Sequence, residues 1–169
     1  MGHILSPRCP KSERKVAADP EDIVNWQRLD PQTTTSGLLR ASDVPLLSAI
    51  GVCHVINLAP DDNPLALPDE AGLLAQAGMN YTYIPVPFDA PTEDHYAAFV
   101  QALDQADGPV HVHCIANWRV SAFFYRYHRD VLGMADDDAR ALLERQWTPE
   151  TSDNPSAPQW ARFIASPED

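Results

Sequence analysis

The segment Val110-His111-Val112-His113-Cys114-Ile115-Ala116-Asn117-Trp118-Arg119-Val120-Ser121 holds the residue types best suited to chemistry. Its alternating, β-branched start reads as a strand, and the run after Asn117 reads as a helix. Cys114 therefore stands where a strand ends and a helix begins. The first amides of a helix lack intrahelical acceptors, so such a junction can bind an anion. Those amides, with Arg119 close by, favour the thiolate of Cys114. A thiolate beside an anion-binding loop is suited to attack on phosphorus or on sulfur. The residues expected around the anion are Ile115, Ala116, Asn117, Trp118, Arg119, Val120 and Ser121. A cation in the first helical turn opposes the helix dipole, and an adjacent anion makes better sense of Arg119 there.

Plainer readings stand beside these. Free cysteine is among the most buried residue types, so Cys114 is also acceptable as a core residue. Ser121 is equally a helix-start hydroxyl. Cys53, read as mid-strand, and Cys9, near the N-terminus, are taken as structural. His111 and His113 share one face of a strand. No third ligand at useful spacing accompanies them, so no metal site is expected, and His111 reads as a packed strand histidine.

His113-Cys114, the short loop, Arg119 and Ser121 resemble the phosphate-binding signature of the cysteine-dependent protein tyrosine phosphatases. Val55-Ile56-Asn57-Leu58-Ala59-Pro60 resembles a strand common in the bacterial, dual-specificity-like branch of that superfamily. Tyr83-Ile84-Pro85-Val86-Pro87-Phe88-Asp89-Ala90-Pro91-Thr92 resembles the strand and loop that carry its general-acid aspartate. The resemblance runs from about Thr35 to Arg129. It implies Cys114 as nucleophile, Arg119 and the loop as the phosphate ligands, and His113 as a residue that orients the loop. Asp89 is the implied general acid, with Asp94 its competitor for that role. The implied substrate is a phosphorylated protein or small molecule, with no cofactor and no metal.

Members of this superfamily usually place five residues between Cys and Arg, whereas four separate Cys114 from Arg119. Ser121 nevertheless keeps the usual seven-residue offset from Cys114. Either the loop is one residue shorter, or it keeps its length and the Arg has moved forward, with Val120 in its usual place. Asn117 then occupies the usual Gly position, and Asn tolerates left-handed backbone. Trp118 is bulky for a phosphate loop. The four-residue gap also resembles rhodanese-like sulfurtransferases, which carry sulfur on the thiolate, but that reading leaves His113 and the Asp89 loop unexplained. A catalytically inactive phosphate-binding module is the third reading.

Positioning these residues requires strands alternating with amphipathic helices. That pattern predicts an α/β fold with a central, largely parallel sheet flanked by helices, phosphatase-like in kind. Helices are expected from Ser42 to Ile50, from Asp69 to Ala77, after the cap Thr92, after the Cys114 loop as far as Leu132, over 136–146, and around Trp160 and Phe163. Strands are expected over 52–58, 81–86 and 110–114, the second broken near Pro85. The aromatic run Phe123 to Tyr127 reads as core, with Tyr125 or Arg126 at the surface. A tail over 1–20 precedes a single phosphatase-like domain over 21–169.

With 44% apolar and 21% charged residues, 169 residues suit one globular domain. A net charge of -12 argues against nucleic acid or an anionic membrane as partner. No apolar run approaches the ~18 residues of a membrane span. The start, with Arg8, Lys11, Arg14 and Lys15, has too short an apolar run for a signal peptide. Three widely spaced cysteines predict no disulfide framework, and a cytoplasmic location follows as an expectation. Nothing in the sequence specifies an oligomeric state.

Overall fold

The alternation of valine and histidine from Val110 to His113 sets the two faces of the sheet. In the computed structural model, which describes residues 17–165, this segment is the central strand. The strands are β1 (Gln27–Asp30), β2 (Thr33–Ser36), β3 (His54–Asn57), β4 (Asn80–Tyr83) and β5 (Val110–His113). The helices are α1 (Val44–Ala49), α2 (Glu70–Gln76), α3 (Glu93–Gln105), α4 (Trp118–Asp130), α5 (Asp136–Glu144) and α6 (Ala157–Ile164). The sheet order is β1-β2-β5-β3-β4. Only the β1–β2 pair is antiparallel; β5 lies parallel between β2 and β3, and β4 extends β3 in parallel. The expected α/β architecture with a largely parallel sheet is what the chain forms.

Val110, Val112 and Cys114 join one core with Ile56, Phe99, Phe123 and Trp160. On the other face a smaller core gathers Leu47 of α1, Val55 of β3, Leu74 of α2, and Ile23 and Leu39 from the segments flanking β1 and β2. Phe99 of α3 meets Phe123 and Phe124 of α4 edge-on, with centroids 5.4 and 5.0 Å apart. The predicted cap holds: the Thr92 hydroxyl accepts from the His95 amide at 3.2 Å, ahead of α3.

His111 is fully buried on the second face. Its Nδ1 lies 2.8 Å from Thr34 Oγ1 and its Nε2 2.8 Å from Ser36 Oγ, while Trp26 stacks on its ring. Burial, and next the imidazole of His113, hold its pKa well below the ordinary 6.5. It is a neutral ring between two hydroxyls, each able to donate or accept.

Several local expectations are corrected. No strand was expected at Gln27–Asp30 or Thr33–Ser36, because Thr33-Thr34-Thr35-Ser36 carries no apolar alternation. The hydroxyls of Thr34 and Ser36 meet His111 of β5, so the usual hydrophobic signal is replaced by a polar one. Ser42 does not cap α1; the turn before it is closed by Asp43, whose carboxylate accepts from the Arg40 amide at 2.8 Å. The expected 81–86 strand ends at Tyr83, although Val86 still donates to Leu58 O. Tyr125 and Arg126 are buried rather than at the surface. The Arg126 guanidinium lies between the rings of Tyr96 and Phe163, at 4.1 and 4.7 Å, and makes a bidentate pair with Glu93. Cys53 precedes β3 and is disulfide-bonded, against expectation. The cytoplasmic reading thereby loses the support it drew from unpaired cysteines. Cys9 and the tail up to residue 16 lie outside the described residues. Among the described residues no helix is long and apolar enough to cross a membrane.

Burial also lowers the pKa values of His54 and His128. Below about pH 6.5 the unfolded chain binds protons at these imidazoles more readily than the folded chain does, so stability should decline as pH falls. His111 alone should account for about 1 kcal/mol between pH 6.5 and 5.5. Urea denaturation across pH 7.5 to 5.5 should show this slope, and His111→Gln should flatten it.

Candidate active site

Cys114 follows β5 directly, is fully buried, and is the free thiol among the described residues. The chain then turns through Ile115 and Ala116 to Asn117, whose φ of 66° is left-handed, and α4 begins at Trp118. Asn117 tolerates this conformation because its short amide can bond locally. Here Asn117 Nδ2 donates to Asn25 O at 2.9 Å and to Thr35 Oγ1 at 3.0 Å.

Four successive carbonyls of this loop are engaged: one by the adjacent His113 ring, two by distant segments and one by the backbone of α4 itself. His113 Nδ1 lies 3.2 Å from Cys114 O. The Leu38 amide donates to Ile115 O at 2.9 Å, and Asn25 Nδ2 donates to Ala116 O at 2.9 Å. The Ser121 amide donates to Asn117 O at 3.0 Å. In a trans peptide the N–H points opposite to the preceding C=O. Holding these carbonyls outward therefore turns the amides of Ile115, Ala116, Asn117 and Trp118 inward. The amides of Arg119 and Val120 are first-turn donors of α4. None of these six amides has an acceptor among the described residues. The result is a concave set of donors next to a thiol, suited to a tetrahedral oxyanion.

His113 is itself fixed. Its Nε2 lies 2.7 Å from Glu70 Oε2, and both side chains are buried. A carbonyl oxygen only accepts, so the contact with Cys114 O requires a proton on Nδ1, and Nε2 shares a second proton with Glu70. Glu70 opens α2, where the helix dipole favours a carboxylate. Both nitrogens of His111 and both of His113 are engaged, which leaves neither ring a lone pair directed at an ion.

Arg119 is nearly buried, and its Nε donates to Val86 O at 2.8 Å. Its guanidinium lies 5.1 Å from the centre of the Phe88 ring. The arginine thus bridges the Cys114 loop and the segment leading to Asp89. Val120 is fully buried and belongs to the apolar core. Trp118 stacks on Trp147, in the segment after α5, at 4.8 Å and nearly parallel. Ser121 departs from its expected role: its amide and its hydroxyl both bond back to Asn117, so it fastens the loop and has no donor left for an anion. Asp89 is exposed on the loop between β4 and α3, while Asp94 is exposed in the first turn of α3.

Asn25, Gly37 and Glu70 went unnoticed in the sequence. A Cβ on Gly37 would stand 2.5 Å from Ile115 O, so only glycine lets β2 approach the loop this closely. Asn117→Ala removes three side-chain hydrogen bonds and strains a left-handed residue, a loss of about 2–3 kcal/mol. Asn117→Gly keeps the backbone and should lose about 1 kcal/mol less. Thermal unfolding of the two variants measures the difference.

A family model described as the phosphatase-like domain of beta-lactamase hydrolase-like protein matches residues 26–125. The beta-lactamase hydrolase-like protein of Agrobacterium fabrum is 34% identical over 113 residues, which cover 65% of this chain and 25% of that protein. This chain thus spans about a quarter of that relative's length. A candidate phosphatase of the DUF442 group from Shewanella putrefaciens CN-32 has 35% identity and a TM-score of 0.72, covering 86% of this chain and 91% of its own. P. aeruginosa TpbA has 25% identity and a TM-score of 0.66, with 88% of each chain covered. A Cys-to-Ser form of TpbA has been solved in complex with phosphotyrosine; it is 24% identical, with a TM-score of 0.66, and covers 88% of this chain and 86% of its own. The family match spans more than half of the residues and contains the Cys114 loop, and this chain belongs to the phosphatase-like domain family of the beta-lactamase hydrolase-like proteins.

Proposed function

We propose that this chain hydrolyses phosphomonoesters through a cysteinyl-phosphate. The observation that carries the reading is the set of six amides without acceptors beside Cys114, four turned inward by the outward-held carbonyls and two from the first turn of α4. The Cys114 thiolate attacks phosphorus, forming an S–P bond as the ester P–O bond breaks. The loop amides and Arg119 hold the non-bridging oxygens and stabilise the charge that develops on them. The carboxyl of Asp89 gives its proton to the leaving oxygen. Water then attacks phosphorus, the S–P bond breaks, and the Asp89 carboxylate takes up the proton that water loses. No step calls for a metal or cofactor. The substrate is a phosphorylated protein or small molecule, and the phosphotyrosine complex of TpbA supports an aryl phosphate as first probe. Family and fold support phosphate rather than sulfur chemistry.

Arg119 stands one position early and is tethered to Val86 O, so its fork meets the phosphate at an angle set by the neighbouring loop. A misplacement of about 1 Å costs ~100-fold in rate. Turnover is therefore expected to be weak, with phosphate affinity less affected, because binding needs only the amides and a nearby charge.

Cys114→Ser should abolish hydrolysis of p-nitrophenyl phosphate while leaving the fold and the binding of inorganic phosphate intact. Wild-type hydrolysis by this variant, or sulfur transfer from thiosulfate to cyanide by the native chain, would overturn the reading. Inserting one Gly between Trp118 and Arg119 displaces Ser121 from Asn117 and should lower both turnover and melting temperature. Faster turnover would mean that the native loop is one residue short.

A further inference from the structure

The acid-bearing segment Val86-Pro87-Phe88-Asp89 makes few backbone bonds of its own. Pro85, Pro87 and Pro91 have no amide proton to give. Three of its carbonyls instead accept from side chains elsewhere in the fold. Arg119 Nε donates to Val86 O at 2.8 Å, Trp160 Nε1 to Phe88 O at 2.6 Å, and Gln159 Nε2 to Asp89 O at 3.2 Å. The last two donors are neighbours on α6, which lies beyond the residues 26–125 that match the family. Phe88 fills the space between these donors: Trp118, Trp147 and Trp160 surround its ring at 6.1, 5.8 and 5.5 Å.

The positions of the two α6 contacts matter more than their number. The Phe88 carbonyl belongs to the peptide plane before the Asp89 Cα, and the Asp89 carbonyl to the plane after it. A peptide unit is rigid, so holding both planes fixes φ and ψ of Asp89 and hence the direction of its Cα–Cβ bond. Only the two side-chain torsions of the carboxyl stay free. Trp160 is fully buried, so its indole is held firmly enough to act as an anchor.

We propose that α6 is a clamp on the acid loop, with Trp160 and Gln159 as positioning residues that aim the Asp89 carboxyl at the leaving oxygen. This rests on Asp89 being the general acid. The clamp acts on proton delivery and not on phosphate binding, since neither residue belongs to the Cys114 loop.

The test uses two substrates that differ in their need for the proton. Phenol has a pKa near 10, like the tyrosine side chain, so phenolate leaves poorly without protonation. Nitrophenolate leaves with far less help. Gln159→Leu keeps the bulk of a partly exposed side chain and removes the donor. Trp160→Phe keeps an aromatic ring and removes the indole N–H. In each variant kcat/KM for phenyl phosphate should fall roughly tenfold, and kcat/KM for p-nitrophenyl phosphate by less than about twofold, since misplaced acid groups lose part of a 10²–10⁴-fold effect. Asp89→Asn should show the same selectivity, and adding Gln159→Leu to it should cost nothing more. Equal losses on both substrates, or no loss on phenyl phosphate, would overturn the clamp. If Asp89→Asn leaves the ratio of the two substrates unchanged, the acid assignment itself is wrong and the clamp falls with it.

Discussion

A trans peptide cannot turn its carbonyl and its amide to the same side, and the Cys114 loop is built on that constraint. His113, Leu38, Asn25 and Ser121 each hold one carbonyl outward. Each comes from a different place: the central strand, the chain after β2, the segment before β1 and the first turn of α4. The inward amides are therefore a consequence of tertiary structure, because a free peptide of the same sequence would give its carbonyls to water. Only the left-handed Asn117 and the missing side chain of Gly37 let the loop sit close enough for this.

Behind the loop lies a polar layer unusual for a buried sheet face. Thr34, Ser36, His111, His113 and Glu70 are all buried and all bonded to one another or to backbone. An unpartnered polar group there would cost roughly 1–3 kcal/mol, so the set holds together only when complete. It gives rigidity directly beneath Cys114, where an apolar face would leave the Cys114 carbonyl without a donor.

The opposite face is aromatic, and it joins the Cys114 loop to the Asp89 loop. Arg119 leaves the first turn of α4, bonds Val86 O and covers Phe88. Trp118, Trp147 and Trp160 close round the same ring. The Cys114 and Asp89 loops thus share one packed cluster, and movement of either would expose large aromatic surface. The forward position of the arginine is intelligible in this setting, since its side chain ties the start of α4 to the Asp89 loop.

Local signals were legible in the sequence. The strand–loop–helix around Cys114, the Thr92 cap and the helix ends at Gly51, Gly78 and Gly133, all at positive φ, depend on neighbouring residues and leave a short-range pattern. The order of β3, β4 and β5 with their helices follows from hydrophobic periodicity, and so did the fold class. What reaches across the chain left no such pattern. β2 joins the sheet by backbone pairing but carries hydroxyls in place of an apolar alternation. Glu70 meets His113 across 43 positions, Trp160 meets Phe88 across 72, and Asn25 meets Ala116 across 91. Ser121 sits at the offset of an anion ligand, yet its hydroxyl turns back on Asn117 because the α4 backbone places an acceptor four residues earlier. Sequence spacing decides which residues can share a turn of helix or a face of strand; which carbonyl a distant side chain then holds is decided only when the layers pack.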